Sequence, residues 1–162
     1  MRVGAGVRMA TAADLDAVAE LAISRAGGDR ERWMKRLTED LVDRERGLWV
    51  ADRGGVVIGY GRVHRFEAAP DAPPLIAPDG FYLIGLGISE GNRRQGLGRA
   101  ITQARLQWIA ECATEAWFFT NAQNEISLRL HAQLGFHEVR RDFVFPGVDF
   151  EGGTGVLCVV EL

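Results

Sequence analysis

Arg93-Arg94-Gln95-Gly96-Leu97-Gly98 follows the apolar run FYLIGLGIS and precedes a stretch with helical periodicity. Residues of these types at a strand-to-helix turn suit the holding of an anion. The glycines let backbone approach a ligand, the exposed N–H groups and the helix dipole favour negative charge, and the guanidinium groups add charge-assisted hydrogen bonds. A tight turn with solvated arginines uses the same residues, and both readings stand at this point. Two phosphate-binding patterns are excluded. Gly91 and Gly96 satisfy G-x-x-x-x-G, but Leu97 and Gly98 stand where a nucleotide-triphosphatase loop needs Lys and Ser or Thr. Gly85 and Gly87 begin a dinucleotide fingerprint, yet Glu90 holds the place of its third glycine and the glycines lie inside the apolar run.

A second constellation lies downstream. Asn124, Ser127 and His131 fall at i, i+3 and i+7 on one helical stripe, with Ile126, Leu130 and Leu134 on another. An imidazole on such a stripe has the chemistry of a general acid or base. A stripe that simply faces solvent fits the same spacing.

The elements that position these residues alternate between strand and helix signals. Residues 7–10 read as a short strand, and Thr11 with Asp14 as a capping box opening a helix through Leu15, Val18, Leu21 and Ala22. A charged amphipathic helix is expected over residues 29–44. Strands at residues 48–52 and 56–66 are joined by Arg53-Gly54-Gly55, a hairpin connection, and residues 81–88 form a strand covered on both faces. Leu97, Ile101, Ala104 and Trp108 mark a helix with Arg99, Gln103 and Gln107 on another side. A strand at 116–119, a helix at 126–134 ended by Gly135, and strands near 136–145 and 155–161 complete an α/β fold with a mixed sheet.

A chain of 162 residues, 47% apolar, suits one domain spanning residues 1–162. The net charge of −3 argues against nucleic acid, although basic residues cluster at 30–36, 93–99 and 140–141. Cys112 and Cys158 are too few and too separated for a disulfide framework or a metal site, and both read as core thiols. With neither an apolar leader nor a run of 18 apolar residues, a cytoplasmic protein without membrane attachment is expected. Residues 67–80 hold four of the five prolines and form the one linker-like segment.

Arg93 to Gly98 resembles the R/Q-x-x-G-x-G/A motif of the GNAT superfamily of acetyl-CoA-dependent N-acetyltransferases. The segment NEISLRLHAQLGF, from Asn124 to Phe136, resembles that family's second landmark, and VRMATAADLDAVAELA its first strand and helix. The resemblance covers nearly the whole chain. It implies a mixed, mostly antiparallel sheet of about seven strands flanked by about four helices. It also implies that Arg93, Arg94, Gln95, Gly96, Leu97, Gly98 and Arg99 wrap the pyrophosphate of acetyl-CoA. Leu86, Gly87 and Ile88 would then bond the pantetheine arm like an added strand, with Asn124 and Ser127 beside that arm. His131 takes the place of the family's Tyr, the acid that protonates the departing thiolate. The carboxylate that many members carry on the fourth strand is absent, since Ile84 and Gly85 occupy those places.

The general base is unassigned: His64, Glu67, Asp79, Tyr82 and a water chain are candidates. The expected reaction is direct attack of a primary amine on acetyl-CoA, with no metal. The acceptor is a small molecule or a peptide, and net acidity favours a cationic one, a protein N-terminus or a lysine. The acceptor site is expected from the first two helices, residues 67–80 and residues 146–155, with Trp33, Trp49, Phe145 and Phe150 as lining candidates. A homodimer is left open. A non-catalytic acyl-CoA-binding or sensing module is the alternative.

Overall fold

The computed structural model describes residues 4–150 and 152–162. Its elements, in chain order, are β1 (Gly6–Met9), α1 (Leu15–Ala26), α2 (Arg30–Val42), β2 (Arg46–Arg53), β3 (Val56–Phe66), β4 (Gly80–Ile88), α3 (Leu97–Ala110), β5 (Glu115–Asn121), α4 (Glu125–Gln133), β6 (His137–Arg140) and β7 (Gly155–Glu161). Short 3₁₀ turns at Ala12–Asp14 and Glu90–Asn92 precede α1 and α3. The seven strands are hydrogen-bonded in the order β1-β2-β3-β4-β5-β7-β6, with β4–β5 parallel and β1–β2, β2–β3, β5–β7 and β6–β7 antiparallel. The expected fold class is therefore the observed one: a mixed, mostly antiparallel sheet with four α-helices. The chain packs as two compact units, Met1–His64 with Ile84–Trp108, and Arg65–Leu83 with Ile109–Leu162.

In the first unit the start of α1 is fixed by charge and capping together. The Asp14 carboxylate accepts the Thr11 N–H at 2.8 Å and both amino groups of Arg8, at 2.7 and 2.9 Å. Leu15, Val18, Ala19 and Ala22 then recur at helical spacing and are buried against Trp33 and Leu37 of α2, Leu48 and Val50 of β2, and Tyr60 of β3. Gly27, at φ +68°, ends α1 by donating to the Ile23 carbonyl at 2.7 Å, and Asp29 caps α2 by accepting the Arg32 N–H at 3.0 Å. Helix α2 stops at Val42, two residues short of the sequence expectation. Gly54 and Gly55 both have positive φ, +60° and +84°, which is what a two-residue hairpin matching the strand twist requires.

In the second unit β5 and β7 pair along their whole length, from Glu115↔Glu161 to Asn121↔Gly155. The β7 residues from Gly155 to Val160 are buried, consistent with their unbroken apolar run. Strand β6 ends at Arg140 instead of continuing to residue 145, and its register shifts between Glu138 and Arg140. The chain then turns and Val144 pairs with the Pro-rich segment: its N–H donates to Leu75 O and its carbonyl accepts from Ala77 N–H, each at 2.8 Å. Phe66, Tyr82, Phe119 and Phe145 close a ring cluster with centroids 4.7 to 6.0 Å apart. Cys158 is buried as expected, whereas Cys112 is exposed just after α3, so only one of the two thiols belongs to the core.

Candidate functional site

The loop from Arg93 to Gly98 is shaped by two left-handed residues. Arg94 has φ +60° and Gly96 φ +80°, with Gln95 between them. The intrahelical ladder of α3 starts with Ala100 N–H donating to Gly96 O at 3.0 Å. The N–H groups of Leu97, Gly98 and Arg99 therefore have no acceptor within the helix, as at any helix start. Nothing lies within 4 Å of where a Gly96 side chain would begin, so the glycine faces open space. Arg53, on the hairpin, straps the loop by donating to Asn92 Oδ1 at 2.7 Å and Gln95 Oε1 at 2.8 Å. The Gln95 side chain thus positions the loop. Arg93 Nε reaches back to the Ile88 carbonyl at 3.3 Å, while Arg94 and Arg99 are exposed. Exposed guanidinium groups beside helix-start N–H groups that lack helical acceptors suit an anion such as a pyrophosphate.

Leu86, Gly87 and Ile88 close the strand that feeds this loop. The pairing of β4 with β5 ends at Leu83↔Phe118. Gly85, at φ +68°, then bends the strand. A side chain at Gly87 would force Tyr60 to shift, since its Cβ would lie 2.5 Å from that ring. Arg105 of α3 braces this bend from below. It is 1% exposed and donates to Arg62 O at 3.1 Å, Gly85 O at 3.4 Å and Thr102 Oγ1 at 2.8 Å. Burial pushes its guanidinium down to about 9.

Beside Gly85 opens a cavity of about 380 Å³ whose charged lining is Arg25, Asp29, Arg32, Arg36 and Arg62. Trp33, also on its wall, donates from Nε1 to Gly27 O at 2.8 Å, with the Arg36 and Arg62 guanidinium carbons 5.3 and 5.6 Å from its ring centroid. Arg62 is held by buried Asp40, Nε to Oδ2 at 2.6 Å, and His64 Nε2 lies 2.8 Å from the other Asp40 oxygen. Burial opposes ionisation of Asp40, but the hydrogen bonds from His64 and Arg62 outweigh it and hold the carboxyl below its ordinary value.

In the second unit, Asn124 and Ser127 are engaged with each other. Asn124 is the N-cap of α4, its Oδ1 accepting the Ser127 N–H at 3.2 Å. His131 is 2% exposed, its ring stacked on Phe118 at 3.5 Å and edge-on to Phe136. Its Nδ1 lies 2.8 Å from the Ser127 carbonyl, which can only accept, so Nδ1 carries the proton of the neutral ring. A cavity of about 220 Å³ is lined by His131, Phe136, Glu138, Arg141 and Cys158 among others. The residues from Leu86 to Ile88 and Arg93 to Arg99 thus share one unit, and Asn124, Ser127 and His131 share the other.

Among the candidate bases, Tyr82 is committed elsewhere: its hydroxyl donates to Pro78 O at 2.7 Å and burial pushes its phenol well above the ordinary value. Asp79 accepts the Ala68 N–H at 2.8 Å and closes the Pro-rich loop. Glu67 is exposed beside Arg65, and His64 is joined to Asp40. Of the aromatic lining candidates, Trp33 borders the cavity beside Gly85, whereas Trp49 is buried edge-on to Trp108. Phe145 and Phe150 pack on Phe119. Glu151, within the expected acceptor loop, lies outside the described residues. Arg105 and Asp40 were missed by the sequence reading, although the spacing carried a signal. Arg105 follows Ile101 by four residues, and Asp40 follows Leu37 by three, so each shares a face with buried apolar residues.

The model of the Acetyltransferase (GNAT) family matches residues 15–136. An N-alpha-acetyltransferase of Sulfurisphaera tokodaii is 29% identical over 118 residues, 68% of this chain and 70% of that protein. The N-acetyltransferase 8 of Mus musculus is 28% identical over 102 residues, 62% of this chain and 43% of its own length. Among solved structures, a phosphinothricin acetyltransferase of Sinorhizobium meliloti in complex with AcCoA superimposes with a TM-score of 0.75 at 18% identity, covering 98% of this chain and 88% of that one. No helix among the described residues is long and apolar enough to cross a membrane, and no group of three or more His, Cys, Asp or Glu there could hold a metal ion.

Proposed function

Since the chain belongs to the GNAT acetyltransferase family, we propose that it transfers the acetyl group of acetyl-CoA to a primary amine by direct attack in a ternary complex. The observation that carries this reading is the strand–turn–helix from Leu86 to Arg99, with Arg94 and Gly96 left-handed and three α3 N–H groups left without helical acceptors. In this reading the backbone N–H groups from Gln95 to Arg99 bind the pyrophosphate, and Arg93, Arg94 and Arg99 supply positive charge at its rim. The backbone of Leu86, Gly87 and Ile88, past the last β4–β5 pair at Leu83↔Phe118, bonds the pantetheine arm. Asn124 and Ser127 shape the start of α4.

The acceptor nitrogen attacks the thioester carbonyl, a C–N bond forms, the C–S bond breaks, and the thiolate leaves with its electron pair. The proton lost by the amine balances the one gained by the thiol. His131 stands at the family's Tyr position and is assigned the protonation of that thiolate. Because Nδ1 is engaged with the Ser127 carbonyl, a proton can come from Nε2 only when the ring is charged. The assigned role therefore predicts a His131-dependent rate that falls as pH rises. Thiol release from acetyl-CoA over a panel of amines tests the reading. Binding without turnover on every amine would favour a coenzyme-binding module instead.

A further inference from the structure

We propose that the acceptor amine carries an oxyanion, a carboxylate or a phosphoryl group, bound in the arginine-lined cavity beside Gly85. The proposal rests on the acetyl-transfer reading and names its acceptor class. It reverses the expectation from net charge, because the local field is opposite in sign to the total of −3. Four guanidinium groups, Arg25, Arg32, Arg36 and Arg62, line the cavity against one carboxylate, Asp29. Asp29 is itself occupied in capping α2. Only Arg62 is neutralised, by Asp40 behind it. Among the described residues, Arg25, Arg32 and Arg36 have no carboxylate partner, although the chain has more acidic than basic side chains, 22 against 19.

Several cations gathered around one concavity without counter-ions repel one another, and an anionic ligand relieves that repulsion. The groups are also aimed. Arg25 is steadied by its Nε bond to the Tyr60 hydroxyl at 3.2 Å. Its Nη2 lies 3.8 Å, and Arg62 Cδ 3.4 Å, from where a Gly85 side chain would begin. The bend of β4 at Gly85 is thus the part of the cavity floor beside Arg25 and Arg62. The Arg36 guanidinium carbon lies over Trp33 at 5.3 Å, and a guanidinium held on an aromatic ring can still pair bidentately with an oxyanion. A volume of about 380 Å³ suits an amino-acid-sized molecule, not a macromolecule. The floor at Gly85 adjoins Leu86 to Ile88, the segment assigned to the pantetheine arm. An oxyanion held by the arginines would therefore leave the amine of the same small molecule on the thioester side.

The test compares three matched sets of amines: amino acids, aminoalkylphosphonates, and the corresponding amino-acid amides. We expect kcat/KM for acetyl transfer to be at least about tenfold higher for one or both anionic sets than for the amides, through KM. The carboxylate and phosphonate arms tell which oxyanion is preferred. In Arg32→Gln/Arg36→Gln, both at exposed positions, the preference should collapse while acetyl-CoA affinity by calorimetry stays within about twofold. Arg36→Lys should restore part of it. If no amine turns over, calorimetric titration of the same compounds into the coenzyme-loaded protein decides, with the anions expected to bind at least about tenfold more tightly. Equal use or equal binding of anions and amides, with acetyl-CoA still bound, would overturn the proposal and leave the acetyl-transfer reading standing. Loss of acetyl-CoA binding in the parent protein would overturn that reading itself.

Discussion

Replacing Asp40 by Asn should destabilise the protein far more than a single amide-for-acid exchange does at a surface. The side chain is 0% exposed and its two oxygens face Arg62 at 2.6 Å, His64 at 2.8 Å and Arg46 at 3.8 Å. The amide keeps the volume and one acceptor oxygen, but leaves the buried Arg62 charge, 6% exposed, without its counter-ion. Removing one partner of a buried ion pair costs about 3–5 kcal/mol. Against a total stability of about 5–15 kcal/mol this is a large fraction. It should appear as a fall in the unfolding midpoint on the order of 10 °C. Urea unfolding of parent and variant at pH 7 measures it directly. The sign with pH follows from the folded carboxyl lying below its ordinary value of about 3.9. The stability that its charge contributes is present in full above that value and is lost as pH falls through the folded one. The gap between parent and variant should thus hold from pH 7 to about 5 and narrow below about 4. A variant within 1 kcal/mol of the parent at pH 7 would refute the idea that Asp40 balances a buried charge, on a scale where about 3 is expected.

Asp14→Asn should cost about 1 kcal/mol by unfolding at pH 7. Because the hydrogen bond from Arg8 lowers the Asp14 carboxyl to about 2, that difference should persist down to about pH 4 and vanish as pH approaches 2. Gly87→Ala should destabilise by about 1–3 kcal/mol, since its Cβ would meet the Tyr60 ring at 2.5 Å; a neutral result in thermal unfolding would mean that Tyr60 moves aside freely. His131→Phe should lower turnover about ten- to a thousandfold, with acetyl-CoA affinity nearly unchanged. A Phe variant turning over at the parent rate, with chemistry rate-limiting, returns His131 to the packing it shares with Phe118.

Where the sequence had a local code, it predicted the structure closely. Apolar spacing located α1 through Leu15, Val18 and Ala22, and α3 through Leu97, Ile101 and Trp108. Arg53-Gly54-Gly55 specified a hairpin because only glycine takes positive φ without cost at both turn positions. The turn before α3 was legible for the same reason, since Gly96 takes φ +80° there. What stayed hidden depends on partners distant in sequence. Arg105, Arg62 and Asp40 look like solvated charges until Gly85 and His64 are brought to them from other elements. The end of β6 at Arg140 is equally non-local, being set where Val144 pairs with Leu75 and Ala77. His131 shows a third kind of miss: the spacing placed it on α4, but not the ring that covers it.

Calorimetric titration of acetyl-CoA into the parent protein and into Gly96→Val tests the proposed pyrophosphate role of the Arg93–Arg99 loop most directly. Gly96 sits at φ +80° with open space before it, so a branched side chain there would project into that space and disfavour the left-handed turn. The account predicts binding by the parent, and a loss of at least about tenfold, or 1.4 kcal/mol, in a Gly96→Val variant whose circular dichroism matches the parent. Arg94→Ala should lose less, because an exposed charge contributes less than the backbone cradle. Unchanged affinity in the folded Gly96→Val protein would contradict the assignment of this loop to the pyrophosphate.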